Sequence, residues 1–270
     1  TPGHGPFLDT LIMYGIAGPL SAERPDIKYE VWSIGGTFRI KIADDFEHIV
    51  DILLNYLRSK KGDVIHVFSN QLRLLFQEKT LKTLENFFKA LLDPKELLNE
   101  LKKYLAPGHA KEEGRNAKKG QHIWLPFYPH MGKFFTGSFK YEAENYNVCK
   151  TCVALSALGF YNAVIFNYYK EAKGSFCAHI LLPSFEGYVD VTVLSNLLTY
   201  LKTQDFLLGV LEDQIFKKAA EILPLSTFTY MTIATFSNNV IKIMHDSRAS
   251  CHIFSAILNV EKGRRGVIPV

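Results

Sequence analysis

The chain has 270 residues, 47% of them hydrophobic, and its 31 Lys and Arg exceed its 27 Asp and Glu by a net charge of +4. That composition excludes a disordered or fibrous chain, and the length suffices to bury a sizeable core without metal or disulfide staples. The charge is concentrated: residues 102–122 hold Lys102, Lys103, Lys111, Arg115, Lys118 and Lys119 against Glu112 and Glu113, and the C-terminal segment holds Lys262, Arg264 and Arg265 against Glu261, which leaves a slightly acidic body.

In chain order, Gly5–Gly18 opens with turn residues and runs into Phe7, Leu8, Leu11 and Ile12, the pattern of a short apolar helix. Ile27–Ile34 and Thr37–Ile42 alternate apolar and polar residues around Gly35-Gly36, which predicts a β-hairpin. Asp44-Asp45 supply an N-cap for a helix with Phe46, Ile49, Val50, Leu53, Leu54 and Leu57 at helical spacing. Val64–Phe68 reads as a strand, and Leu72–Leu92 and Pro94–Leu105 as two amphipathic helices, the second with proline in its first turn. Residues 106–122 lack apolar periodicity and contain Pro107, Gly108, Gly114 and Gly120, which predicts an exposed, mobile loop.

Beyond it, Ile123–Tyr141 has the aromatic, Gly/Pro-punctuated look of strands, and Val148–Ala172 reads as a helix. The longest apolar stretch, Val153–Phe166, spans 14 residues, too short to cross a bilayer, and is expected to be buried. Phe176–Val191 reads as strand and Leu194–Leu223 as helix; Thr227–Ile243 mixes β-branched residues with helical spacing, and Ala249–Val260 is expected to be the final strand. The element order predicts an α+β fold of mixed helices and antiparallel strands, with an N-terminal lobe 1–105, the exposed basic loop 106–122, and a C-terminal lobe 123–270 ending in a flexible basic tail. With no secretory signal pattern and four scattered cysteines, a reducing cytoplasm is the expected compartment.

The basic segment is the strongest candidate site, because phosphate binding needs solvated cations that release counterions on contact. Trp124, Phe127, Tyr128, Phe134, Phe135, Phe139, Tyr141 and Tyr146 follow it, and bases of a single strand stack on rings beside a cationic track. Most of those rings are nevertheless expected in the core. Cys149-Lys-Thr-Cys152 has the spacing of a zinc knuckle or a dithiol pair; the completions weighed are Cys177 with His179, or Cys251 with His252. The preferred reading is small buried residues opening a helix, with no metal and no cofactor. Pro2-Gly3-His4-Gly5 and Pro107-Gly108-His109-Ala110 resemble each other and read as turns. His245-Asp246 is a dipeptide of metal-dependent phosphohydrolases, but no further ligands can be placed, and no nucleophile elbow, HExxH helix, dinucleotide fingerprint or P-loop is present. The residues carry no catalytic constellation.

The opening Thr1-Pro2-Gly3-His4-Gly5-Pro6-Phe7-Leu8-Asp9-Thr10-Leu11, together with a CxxC entering the helix Cys149-Lys-Thr-Cys152-Val-Ala-Leu-Ser-Ala-Leu-Gly159, resembles the large subunit of archaeal type I-A CRISPR surveillance complexes, or Cascade. The resemblance implies a non-enzymatic subunit seated with the other Cascade subunits on the crRNA. Such a subunit helps recognise the protospacer-adjacent motif of the crRNA-guided target DNA and supports recruitment of the helicase–nuclease, with no membrane role. RNA-guided systems delegate sequence reading to base pairing and leave the protein to grip backbone and read a short motif. An enzyme acting on nucleic acid and a protein–protein adaptor without DNA contact are the competing readings.

Overall fold

A computed structural model describes residues 1–71, 76–105, 109, 114–115, 120–124, 127, 129, 146–170, 176–203, 238–245, 247–261 and 264–268, with backbone alone described at 71, 104–105, 114–115, 166–170, 176–179, 203, 248, 257, 259–261 and 264–268. Two apolar helices organise the interior. Helix α1 (Pro6–Glu23) begins with proline at its first turn and buries Phe7, Leu8, Leu11, Ile12, Met13 and Tyr14 on nearly every side. It runs farther than the apolar pattern at Gly5–Gly18 indicates. Its partner, α5 (Lys150–Ala163), is likewise buried all round, as expected of a helix with no polar face.

Two glycines let these helices touch backbone to backbone. A Cβ at Gly159 of α5 would overlap the Leu11 carbonyl oxygen of α1, and a Cβ at Gly15 of α1 would overlap the Leu155 carbonyl oxygen of α5. The crossing is tied by Asn162, which donates to the Tyr14 carbonyl at 3.4 Å and accepts from the Tyr56 hydroxyl at 2.6 Å.

Tyr56 belongs to α2 (Phe46–His66), the helix expected after Asp44-Asp45; Asp45 is its N-cap by backbone position, with no side-chain capping bond. Val64–Phe68 is not a strand. Val64 and Phe68 are both fully buried and four residues apart, so they share a helical face; α2 continues to His66 and a π-helical turn follows over Val67–Gln71. Helices α3 (Glu78–Leu91) and α4 (Pro94–Leu105) follow, the latter with the expected bounds.

The hairpin forms as expected from β1 (Tyr29–Ile34) and β2 (Thr37–Ile42) around Gly35-Gly36, both at positive φ. It joins a six-stranded antiparallel sheet of order β2-β1-β7-β8-β9, with β6 also on β7. Here β6 is Ile165–Lys170, β7 Phe176–Asp190, β8 Arg248–Glu261 and β9 Arg264–Ile268. The single helix expected over Val148–Ala172 is therefore divided. Val164 turns to extended backbone, and the β-branched and aromatic run Ile165-Phe166-Asn167-Tyr168-Tyr169 pairs with β7. Likewise β8 is not the final strand, and the tail is not flexible at Arg264 and Arg265, because β9 pairs with β8 from Glu261↔Arg264 to Ile257↔Ile268.

Helix α6 (Val191–Thr203) leads off from β7, and residues 238–244 are helical, which resolves the ambiguous segment in favour of its helical spacing there. A small sheet of order β3-β5-β4 joins Gly114–Arg115, Tyr146–Val148 and Gln121–His122. The fold is α+β. Strands from both sides of segment 106–122 share the large sheet, and α1 and α5 share one core. No described helix is long and apolar enough to cross a membrane.

Candidate functional site

The Pro-Gly-His-Gly turn at the start of α1 is held by Asp9. Its fully buried carboxylate accepts from the Gly3 amide at 3.0 Å and the Gly5 amide at 2.9 Å, while Gly3 and Gly5 sit at φ +91° and +119°. Only glycine adopts such backbone without strain, so the two glycines and the aspartate form one device that fixes His4. His4 is 3% exposed. Its Nδ1 lies 2.9 Å from the Tyr146 hydroxyl, which itself donates to the His4 carbonyl at 3.2 Å. The single phenol proton has both acceptors in reach; when it goes to the His4 carbonyl, Tyr146 accepts from Nδ1–H and Nε2 is the acceptor nitrogen. That nitrogen faces the fully buried Cys152 Sγ at 3.3 Å.

Cys149 and Cys152 open α5. The Cys149 sulfur accepts from the Cys152 backbone amide at 3.4 Å, in the N-cap position. Helix α4 is fastened to this end of α5 by the Thr151 hydroxyl on Glu100 at 3.1 Å and by an ion pair between Lys150 and Glu96. Four residues beyond α4, His109 brings its Nε2 to 3.4 Å from Cys152 Sγ and 3.9 Å from Cys149 Sγ. The histidines of the two look-alike Pro-Gly-His sequences therefore converge on one thiol. Tyr146 and the strand pair Arg115↔Tyr146 join the cluster to the small sheet.

The completions weighed for the CxxC pair are not in this cluster as described. Cys251 and His252 lie on β8, and burial pushes the Cys251 thiol up to about 11, which keeps it protonated at neutral pH. Cys177 and His179 lie on β7, with side chains outside the described residues. His245 is exposed in a turn after the helical stretch 238–244, and Asp246 lies outside the described residues.

Of the basic residues, Lys102 and Lys103 are exposed on the last turn of α4, where Lys103 is ion-paired with Glu100. Arg115 is on β3, and Arg264 and Arg265 are on β9; Lys111, Lys118, Lys119 and Lys262 lie outside the described residues. The described rings near the basic segment are not a stacking track. Phe127 is fully buried and packs with Phe68, Phe76, Phe160 and the half-buried Trp124, at ring separations of 5.6–6.2 Å. Tyr146 is bonded to His4. Tyr128, Phe134, Phe135, Phe139 and Tyr141 lie outside the described residues.

One surface escaped the sequence reading. In the large sheet Trp32 pairs with Arg39 on one side and Tyr188 on the other, and Tyr188 pairs with Arg248, so the register forms a row Arg39, Trp32, Tyr188, Arg248. Trp32 is 44% exposed, its ring centroid 4.8 Å from that of Tyr188, and Ile34 beside it is 75% exposed. The adjoining row, Lys41, Glu30 and Asp190, carries both signs of charge. The signal was present in the hairpin alternation, which puts a tryptophan on the polar face of β1.

A family model described as CRISPR-associated protein (Cas_Csa4) matches residues 1–263. The chain belongs to this CRISPR-associated family. It is also 27% identical over 195 residues to a protein of Thermoproteus tenax named CRISPR system associated protein Cas8, the match covering 59% of this chain and 49% of that protein. The chain thus spans about half the length of this curated relative. The resemblance read from Thr1–Leu11 and the CxxC helix, to the large subunit of a CRISPR surveillance complex, is borne out by both matches.

Proposed function

We propose that this chain is a non-enzymatic, nucleic-acid-contacting subunit of an archaeal CRISPR RNA-guided surveillance complex in the cytoplasm. It joins the other Cascade subunits, contributes to recognition of the protospacer-adjacent motif of target DNA, and helps recruit the helicase–nuclease. The family match over residues 1–263 carries this reading. Its contact residues are the cations of the basic segment, Lys102, Lys111, Arg115, Lys118 and Lys119 with Lys103, and those near the C-terminus, Lys262, Arg264 and Arg265. Concentrated charge on a near-neutral body favours a local grip on backbone phosphates rather than a broad basic face. Mobility-shift titration of the crRNA-loaded complex tests the reading: Lys111, Arg115, Lys118 and Lys119 changed together to Ala should weaken duplex binding and flatten its salt dependence.

A second reading is favoured by the exposed Trp32 and Ile34 on β1. An adaptor that docks a neighbouring subunit through this face needs no DNA contact of its own. Trp32→Ala would then release the chain from the assembly, and the isolated chain, with or without the substitution, would show no DNA affinity at low salt.

A further inference from the structure

We propose that His4, His109, Cys149 and Cys152 form a tetrahedral zinc site that clamps the N-terminal turn, the start of the basic segment and the head of α5 together. In a zinc tetrahedron with bonds of about 2.05 Å to nitrogen and about 2.3 Å to sulfur, a nitrogen–sulfur edge is about 3.6 Å long. Three of the four nitrogen–sulfur edges are close to that length, at 3.3, 3.4 and 3.9 Å; the donor atoms of His4, His109 and Cys152 all lie within 4.8 Å of one another, and Cys149, outside that group of three, reaches it through His109 and completes the set by a small inward turn of its side chain.

The surroundings suit the ion. Two imidazoles and two thiolates are the donor set that selects zinc, and two thiolates neutralise its double charge, so the buried site carries no net charge. The amide of Cys152 donates to the Cys149 sulfur at the N-terminus of α5, an outer hydrogen bond of the kind that orients a ligating side chain. His4 has the outer support expected of a ligand, Nδ1–H on the Tyr146 hydroxyl, which directs Nε2 inward. His4 and Cys152 are buried, which fits a closed structural site rather than one with an open water position. The device built from Gly3, Gly5 and Asp9 gains a purpose: it holds a ligand on a chain segment 148 residues away from Cys152.

The proposal rests on side-chain geometry alone, and its test needs no nucleic acid, so its failure leaves the CRISPR reading standing. The reduced chain, stripped of metal, is titrated with cobalt(II) and then with zinc(II). The expected result is one equivalent of cobalt with the intense visible bands of a tetrahedral ion and a thiolate charge-transfer band in the near ultraviolet, displaced by one equivalent of zinc. His109→Ala, at a half-buried position beyond α4, should weaken cobalt binding at least about tenfold, the effect of losing about 1.4 kcal/mol. Cys251→Ser should leave binding unchanged. The proposal is overturned if the unmodified chain takes up no metal at micromolar concentrations, if its cobalt spectrum is that of an octahedral ion, or if His109→Ala and Cys149→Ser both bind as the unmodified chain does. Because the first two outcomes are read on the unmodified chain, a misfolded variant does not blunt the test.

Discussion

Gly159→Ala adds one methyl group at the place where α5 crosses α1. The new carbon would overlap the Leu11 carbonyl oxygen, a backbone atom of a helix buried on nearly every side, so no side chain can swing away and α1 itself must move. Overpacking of this kind costs about 1–3 kcal/mol and occasionally more. A rigid backbone clash belongs at the upper end, about 3 kcal/mol, and the better helix propensity of alanine returns about 1 kcal/mol. The net expectation is a loss of about 2 kcal/mol, or roughly 4–8 °C in Tm for a chain of this size. Gly62→Ala is the matched control. Gly62 is exposed within α2 and a Cβ there meets nothing within 4 Å, so the same change should stabilise by about 0.5–1 kcal/mol. Urea unfolding followed by tryptophan fluorescence should show a lower midpoint for Gly159→Ala at unchanged m, and a higher one for Gly62→Ala. If Gly159→Ala were as stable as the unmodified chain, the close crossing would be wrong.

Other expectations follow from the same contacts. Asp9→Ala strands two amides of the Pro-Gly-His-Gly turn and should cost about 2–4 kcal/mol in thermal or urea unfolding; Asp9→Asn keeps one acceptor oxygen and should cost about half as much. Changing Lys111, Arg115, Lys118 and Lys119 to Ala should reduce the slope of log affinity against log salt for duplex DNA by about 3–4, near 0.9 per lost phosphate contact; an unchanged slope would remove these residues from the interface. Alkaline pH should destabilise the fold. Burial raises the Cys251 thiol to about 11 and raises the Tyr14, Tyr29 and Tyr56 phenols, so above about pH 9 the unfolded chain releases protons that the native chain keeps. Stability from these groups is full below their unfolded pKa values and is lost as pH rises through them toward the native values. Denaturation midpoints should therefore fall between pH 8 and pH 10.5, and a flat profile would contradict the burial of these groups.

Elements with one dominant local signal were legible in the sequence. The alternation on either side of Gly35-Gly36 and the amphipathic stripe of Pro94–Leu105 each specify their element within a few residues. Where a segment satisfies two periods, tertiary context decided. Val64–Phe68 is β-branched enough for a strand, yet its buried pair is four apart and the aromatic cluster around Phe68 draws it into a helix. Within Val148–Ala172 the apolar run Val153–Phe166 continues across the break at Val164, and what divides the segment is pairing with β7, a partner its own residues do not reveal. The basic cluster was legible as charge, but two-residue strands such as Gly114–Arg115 leave no periodic trace. The histidine–cysteine cluster was visible only in parts. The CxxC and the repeated Pro-Gly-His turns stood out separately, and their meeting depends on a helix crossing that joins residues more than a hundred positions apart.

The central claim, that this chain serves target-DNA recognition in an RNA-guided complex, is tested most directly by assembling the complex on crRNA with and without it. The measurement is affinity for a matched duplex carrying the protospacer-adjacent motif, against the same duplex with the motif scrambled. The account predicts that the chain raises affinity for the motif-bearing duplex by about tenfold or more and creates the preference over the scrambled one. Equal affinities with and without the chain, on both duplexes, would contradict it.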